Sequence, residues 1–294
     1  MKNYKSITSM LAFVLLFIVA AANAANAPKL TFKFTTVAIK GAKHTEVYAV
    51  NNAGAMVGWY LDSSYNQHGF LLQDGKLTTL DDPSGTDTLC AGINSDNVIV
   101  GWYQNHAASV GFLYQKETFM DIPGPTGAVD SWAVGINDSG MVTGQYTDSA
   151  GVNHGFVWNG TTYTTLDVPG ASLTAGIGIN NKGLITLQWV DSDEKYEASY
   201  YDGKNYYTIN VPGATDTYVW DINSAGDVVF TWQGSKFPYH GALCTKCTSK
   251  RRKFYKFDHP KAPDTWAVGI NDHKLISGNY TNKKGVSFGF KATY

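Results

Sequence analysis

Apolar and polar positions alternate along this chain in short runs, and beyond the N-terminus no apolar stripe recurs at helical spacing over ten or so residues. Residues 131–168 are representative. Their apolar runs read SWAVGI, MVTGQY, HGFVW and TYTTLDV, separated by NDSG, TDSAGVN and NGT. Period-two runs joined by Asn, Asp and Gly predict antiparallel strands linked by hairpin turns and short loops. The segment is therefore expected to be a meander of four strands, A to D.

The same phrase recurs throughout the chain. An Asn follows an apolar residue at Asn51, Asn94, Asn137, Asn180, Asn223 and Asn271, with spacings of 43, 43, 43, 43 and 48. A small residue follows each anchor in strand C: Gly69, Gly111, Gly155, Ala198, Gly241 and Gly289. Four β-prone runs per period of this length are the signature of a propeller blade. The last copy stops at SFGFKATY, after strand C, while FTTVAIKGA (34–42) upstream matches YTTLDVPGA (163–171), a strand D. The expected fold is all-β: a six-bladed β-propeller of four-stranded antiparallel blades, closed by the N-terminal strand completing the last blade. Closure of this kind removes exposed sheet edges.

Strand A carries the packing signal. Two residues before each anchor stand Ala49, Gly92, Gly135, Gly178, Asp221 and Gly269, and one before stand Val50, Ile93, Ile136, Ile179, Ile222 and Ile270. Alternate residues face opposite sides of a strand. Each blade is expected to press large side chains onto its neighbour's glycines. Asp221 breaks the bare face and should meet either a partner or the central channel.

The phrase GINDSGMVTGQY…HGF…TTLDVPGA resembles the HAF repeats of bacterial extracellular repeat proteins. The triplets His68-Gly69-Phe70 and His154-Gly155-Phe156 carry the likeness, which spans residues 34–294, and EAS (197–199) and HGA (240–242) depart from it. The resemblance implies location outside the cytoplasm and a repeat fold. The family has no established activity to carry over.

Composition adds limits. Only 16% of the 294 residues are charged and the formal net charge is -1, so neither nucleic acid nor an anionic membrane is indicated as a partner. Lys2 and Lys5 precede MLAFVLLFIVAAA, and ANA follows at 22–24 and 25–27. This is the pattern of a cleavable signal peptide over residues 1–24, shorter than a span of about 20 apolar residues needs, ahead of a single domain at 25–294. A secreted or periplasmic protein is expected. Cys90 stands alone, whereas Cys244 and Cys247 form CTKC, for which a disulfide is favoured over free thiols or metal in an oxidising compartment.

Candidate chemistry is sparse, since no HExxH, nucleophile elbow or phosphate-binding loop occurs. DSDE (191–194) begins like a calcium loop but lacks its central Gly and closing Glu. No cofactor is expected beyond that possible calcium. Asp87, Asp130, Asp216 and Asp264 recur before strand A, each followed by Thr or Ser, on the face where D–A and B–C loops emerge. They could bind a cation or sugar hydroxyls, or satisfy backbone groups between blades. Trp59 and Trp102 near the end of strand B could stack on sugar rings or fill the blade interface. His68, His154 and His240 sit in alternate blades, too far apart to share an ion, and are expected to cap the B–C loops. Lys250, Arg251, Arg252 and Lys253 open on the opposite face, as a solvated loop or a contact for an anionic surface polymer.

The favoured functional reading is a non-catalytic binding module for glycan or another cell-surface ligand. The alternatives are a polysaccharide lyase or glycosidase using carboxylates at the channel mouth, and a protein–protein interaction scaffold.

Overall fold

Each copy of the repeat folds as its alternation dictates. In the third blade, strands A to D are Asp130–Ile136, Val142–Thr147, Asn153–Trp158 and Tyr163–Leu166, hydrogen-bonded in that order. The computed structural model describes residues 30–294 except 107, 236 and 237, and the expected signal peptide lies outside them. Six such sheets account for every described strand, and no helix occurs among the described residues. The sixth blade draws its outer strand from the other end of the chain. Lys33–Val37 runs antiparallel to Ser287–Thr293, pairing Lys33 with Thr293 through to Val37 with Gly289. The protein is a closed six-bladed β-propeller.

The anchoring asparagines show why the phrase repeats. Each Asn side chain donates through Nδ2 to the backbone carbonyl of the next anchor: Asn51 to Asn94, and so on round to Asn271, which donates to Asn51, at 2.9–3.2 Å. Each Oδ1 also accepts the backbone N–H four residues on, closing its own A–B turn at 2.9–3.1 Å. All six are buried, at 4–5% exposure. A side chain that caps its own turn and ties the next blade leaves none of its polar atoms orphaned.

The strand-A glycines act differently from the expectation. A Cβ on Gly135 would meet the Ile177 carbonyl and lie 3.2 Å from the Gly178 Cα, and one on Gly269 would lie 3.0 Å from the Ala49 Cα. The neighbouring blade thus presents backbone, not large side chains, to these glycines. Bare positions let the inner strands approach more closely than side chains would permit.

Bulk is supplied further out, through an exchange between strands B and C. Gly58, Gly101, Gly144 and Gly278 in strand B face Phe70, Phe112, Phe156 and Phe290 in strand C, whereas Leu187 faces Ser199 and Phe230 faces Ala242. One large side chain per pair fills the same layer, and all six are 0% exposed. Burying a side chain of this size contributes about 1.5–3 kcal/mol. Blades 4 and 5 depart from the His-Gly-Phe triplet because their bulk comes from the other strand.

Candidate functional site

Six A strands enclose a channel too small for an organic ligand. Tyr48, Val134, Ile177, Trp220 and Asp221 line a space of about 50 Å³, against about 300 Å³ or more for a ligand pocket. Asp221 is directed into this channel. It accepts the Ile222 N–H of its own blade at 2.8 Å and the Ile270 N–H of the next at 3.0 Å. Burial, helped by the charge of Asp272 and only partly opposed by those two N–H groups, pushes its carboxyl up to about 6. The lower end of the channel, on the side of the A–B turns, is ringed by the anchoring asparagines and by a collar in which Asp138 and Asp272 each take donors from a Ser and an Asn.

At the upper face, where the D–A and B–C loops emerge, the expected aspartates tie blades together. Asp130 accepts the Ser109 N–H at 2.6 Å, Asp216 the Tyr196 N–H at 3.2 Å and Asp264 the Tyr239 N–H at 3.0 Å. In each case the donor is the first or second residue of strand C of the preceding blade. Asp87 departs from this pattern. Its backbone is left-handed (φ 53°), Thr86 donates to its carboxylate at 3.0 Å, and Gln67 of the preceding blade donates to its carbonyl instead. The hydroxyls at the next repeat position are buried staples. Thr45, Thr88, Thr174, Thr217 and Thr265 each accept the N–H six residues back, at 2.8–3.2 Å, and so shape the D–A crossing.

Trp59 and Trp102 are both half-buried, and no ring contact joins them among the described residues. Trp59 stacks on His44 (5.1 Å, 18°), whose Nε2 bonds Glu46 at 2.9 Å. A denser aromatic group lies on the other side of the mouth, at the level of Asp216 and Asp264. Tyr239 is 4.4 Å from Trp266, Tyr196 is 4.9 Å from Tyr218, and Tyr218 is 5.9 Å from Tyr239 between ring centroids. Burial, and then Tyr239 and Asp216, push the Tyr218 phenol far above its ordinary range, so it stays neutral. This group was not singled out from the sequence. Its signal was a position five residues before the anchor that holds Trp132, Tyr218 and Trp266 in three of the six copies.

The recurring histidines join strand C to the Asp that directly follows strand D. His68 Nδ1 meets Asp81 at 2.9 Å, His154 Nδ1 meets Asp167 at 3.0 Å, and His240 Nδ1 meets Asp258 at 2.8 Å. In blades 1 and 3 the other ring nitrogen faces a B–C loop carboxylate, Asp62 at 3.6 Å and Asp148 at 3.4 Å. Each imidazole also lies on a strand-B aromatic ring, Tyr60, Tyr146 or Trp232. Burial lowers the His68 pKa, but the hydrogen bonds and charges of Asp81 and Asp62 outweigh it and hold the imidazole above its ordinary value. The folded protein therefore keeps this proton longer than the unfolded chain. The resulting stability is complete below about pH 6.5 and drains away as pH rises through the folded value. His68→Gln is expected to flatten that part of the profile by less than about 1 kcal/mol, since the pair is partly solvated. Urea melts at about pH 5.5 and pH 8 would show it, and parallel changes in both proteins would refute it.

One upper-face groove has the size of a ligand site. It lies between blades 1 and 2, with a volume of about 330 Å³, and is lined by Tyr65, Asn66, Gln67, His68, Asp81 and the Gly85–Thr88 segment. Tyr65 sits on the B–C loop of blade 1 with a left-handed backbone (φ 66°) and is 68% exposed. Asp62 closes that loop by accepting the Ser64 and Asn66 N–H groups at 2.8 and 2.9 Å. Of the expected ligand residues, Asp87 lines this groove, Asp216 and Asp264 sit beside the aromatic group, and Asp130 spans blades 2 and 3. Sequence reasoning missed Tyr65, whose signal was a lone aromatic in the polar loop DSSYNQ.

No cluster of three or more His, Cys, Asp or Glu side chains suited to a metal ion occurs among the described residues. In the DSDE segment, Asp191 accepts the Asp193 and Lys195 N–H groups at 2.8 and 3.0 Å, so that oxygen serves a turn. Cys244 and Cys247 form a disulfide, with Cα atoms 5.3 Å apart.

No protein-family model matches the chain, and no curated protein does. Solved structures do. The chain is similar to SapL1 lectin in complex with alpha methyl fucoside (TM-score 0.58, 12% identity, covering 86% of this chain and 94% of that one). It is similar to a fucose-specific lectin from Aleuria aurantia (0.52, 13%, 87% and 93%). It is also similar to TolB from Acinetobacter baumannii (0.52, 12%, 85% and 63%). At such identities the likeness is one of fold. No described helix is long and apolar enough to cross a membrane.

Proposed function

We propose that this propeller is an exported, non-catalytic glycan-binding module, a HAF-repeat protein acting in the periplasm or outside the cell after removal of residues 1–24. The observation that carries the reading is the groove between blades 1 and 2. It pairs a highly exposed Tyr65 ring with Asp81, Asp87, Asn66 and Gln67 in a space of about 330 Å³. A sugar offers an apolar ring face and a rim of hydroxyls, and this combination answers both. The fucose-binding lectins among the similar folds support the ligand class and make a fucoside the first probe.

The lyase or glycosidase alternative has less support. Such enzymes need two carboxylates in unlike environments, free to exchange protons. Asp130, Asp216 and Asp264 each hold a backbone N–H across a blade boundary instead. Asp221, whose pKa is raised, lies inside the narrow channel rather than among them.

The test is titration of the mature protein with methyl α-fucoside and an array of neutral glycans. Tyr65→Ala is expected to weaken binding by about tenfold, and Asp87→Ala to weaken it as well, with melting temperatures near wild type. Loss only in a Trp59→Ala/Trp102→Ala variant would return the site to the two tryptophans. Loss only in Tyr218→Ala/Trp266→Ala would move it to the aromatic group at the channel mouth. Absence of binding to every glycan would sink the reading and leave the interaction scaffold.

A further inference from the structure

We propose that the groove between blades 4 and 5, on the lower rim, binds an acidic saccharide: a pyranose chain bearing carboxylate or sulfate. The inference stands on different residues from the upper-face reading and does not depend on it.

The groove has a volume of about 720 Å³ and two unlike walls. Blade 4 supplies Tyr200, Tyr206 and Tyr207 from the ends of its strands C and D, and the Tyr200 and Tyr207 rings stack at 4.8 Å and 14°. Tyr207 remains 40% exposed. Blade 5 supplies the opposite wall from its C–D loop, through Thr248, Ser249, Lys250 and Arg252. This loop holds the extra residues of the longest repeat spacing, 48 instead of 43, and both arginines of the chain.

That loop is held in place. The Cys244–Cys247 disulfide is buried, with the two residues 0% and 1% exposed. The Cys247 N–H donates to the Gly226 carbonyl at 2.8 Å, and the Lys246 N–H donates to Asp227 at 2.7 Å. Thr248 packs so closely on Gly226 that a Cβ there would come within 2.7 Å of its Oγ1. A binding wall fixed in advance does not lose ordering entropy when ligand arrives.

The charges on this wall are not neutralised within the molecule. Among the described residues, none of Lys250, Arg251, Arg252 and Lys253 lies within salt-bridge distance of a carboxylate. Arg252 spends one donor on the Thr208 carbonyl at 3.4 Å, out of the five that a guanidinium has. In blade 4, Asp202 is taken up by the Lys204 and Asn205 N–H groups and the Tyr207 hydroxyl at 2.8–3.0 Å. Two uncompensated cations beside stacked phenol rings complement a ring-shaped anion: the rings take the sugar face and Arg252 and Lys250 the acid. The lining contains no exposed aliphatic side chain that would enter a bilayer.

The test titrates the full mature chain with oligogalacturonate, with heparin oligosaccharide and with neutral dextran, at low and high salt. One or both acidic oligomers are expected to bind, with affinity falling as salt rises, and dextran is not. The arm that responds tells carboxylate from sulfate. Lys250→Gln/Arg252→Gln is expected to lose about tenfold or more, and Tyr207→Ala severalfold, both melting near wild type, while Tyr65→Ala binds these ligands unchanged. Failure of both acidic oligomers to bind overturns the proposal. So does wild-type affinity in Tyr207→Ala, which would reduce the groove to a charged patch. Loss of acidic binding in Tyr65→Ala would overturn it by placing the ligand on the upper face.

Discussion

Replacing Asn137 by Ala is expected to cost about 3 kcal/mol and to lower the melting temperature by roughly 6–12 °C. The side chain is 4% exposed and serves two blades. It donates to the Asn180 carbonyl at 3.2 Å and accepts the Met141 N–H at 3.0 Å and the Ser139 hydroxyl at 2.8 Å. Truncation leaves the Met141 N–H without its side-chain acceptor and opens one link of the ring. Asn137→Asp separates the two functions. Its carboxylate still accepts at the turn, but the other oxygen, now charged, faces the Asn180 carbonyl, so the folded carboxyl is held above its unfolded value of about 3.9. A raised carboxyl pKa means the folded state binds more protons, so this variant should regain stability as pH falls toward about 4. Denaturant melts of both variants between about pH 4 and 8 check this. A cost below about 1 kcal/mol for Asn137→Ala, or a pH-independent deficit for Asn137→Asp, would refute the ring as a source of stability.

The ring was legible as scaffold because a spacing of 43 fixes one residue at one place in every blade, and geometry then repeats whatever bonds that residue makes. Its hydrogen bonds were not legible, because they join anchors a full repeat apart and depend on the closure that brings Asn271 beside Asn51. The exchange between strands B and C escaped for a related reason. Leu187 and Ser199 look like two unrelated departures until the register sets them opposite each other. Read alone, Ser199 weakens the triplet; read with Leu187, it preserves the volume of the layer.

The site was less legible than the fold. Asp130, Asp216 and Asp264 stand at one repeat position and share one structural bond, so their recurrence marked the scaffold. The groove between blades 1 and 2 and the groove between blades 4 and 5 are built by what does not recur: Tyr65 in one B–C loop, and the disulfide loop in one blade. In a repeat protein the shared residues hold the ring, and individuality collects in loops of which a sequence gives the composition but not the partners.

Asp221 is the individual residue on the inner strand, and it makes stability fall as pH rises. Its folded carboxyl is pushed up to about 6 from 3.8, by burial first and by Asp272 last, against the opposing pull of the Ile270 and Ile222 N–H groups. Below the unfolded value both states hold the proton and the residue costs nothing by this route. Between 3.8 and 6 the unfolded chain releases its proton first, so stability drops across that window and stays lower above it. The difference of about two pKa units corresponds to about 3 kcal/mol. The equivalent position in blade 1 is Ala49, which shows that the ring accommodates a methyl group there. Asp221→Ala is therefore expected to gain on wild type by about 3 kcal/mol on going from about pH 3.5 to about pH 7.5. It loses two hydrogen bonds at every pH but no longer strands a charge in the channel at high pH. Urea melts of the two proteins at those pH values read the difference directly. If their curves stay parallel, the carboxyl titrates alike in both states and the channel carries no buried charge.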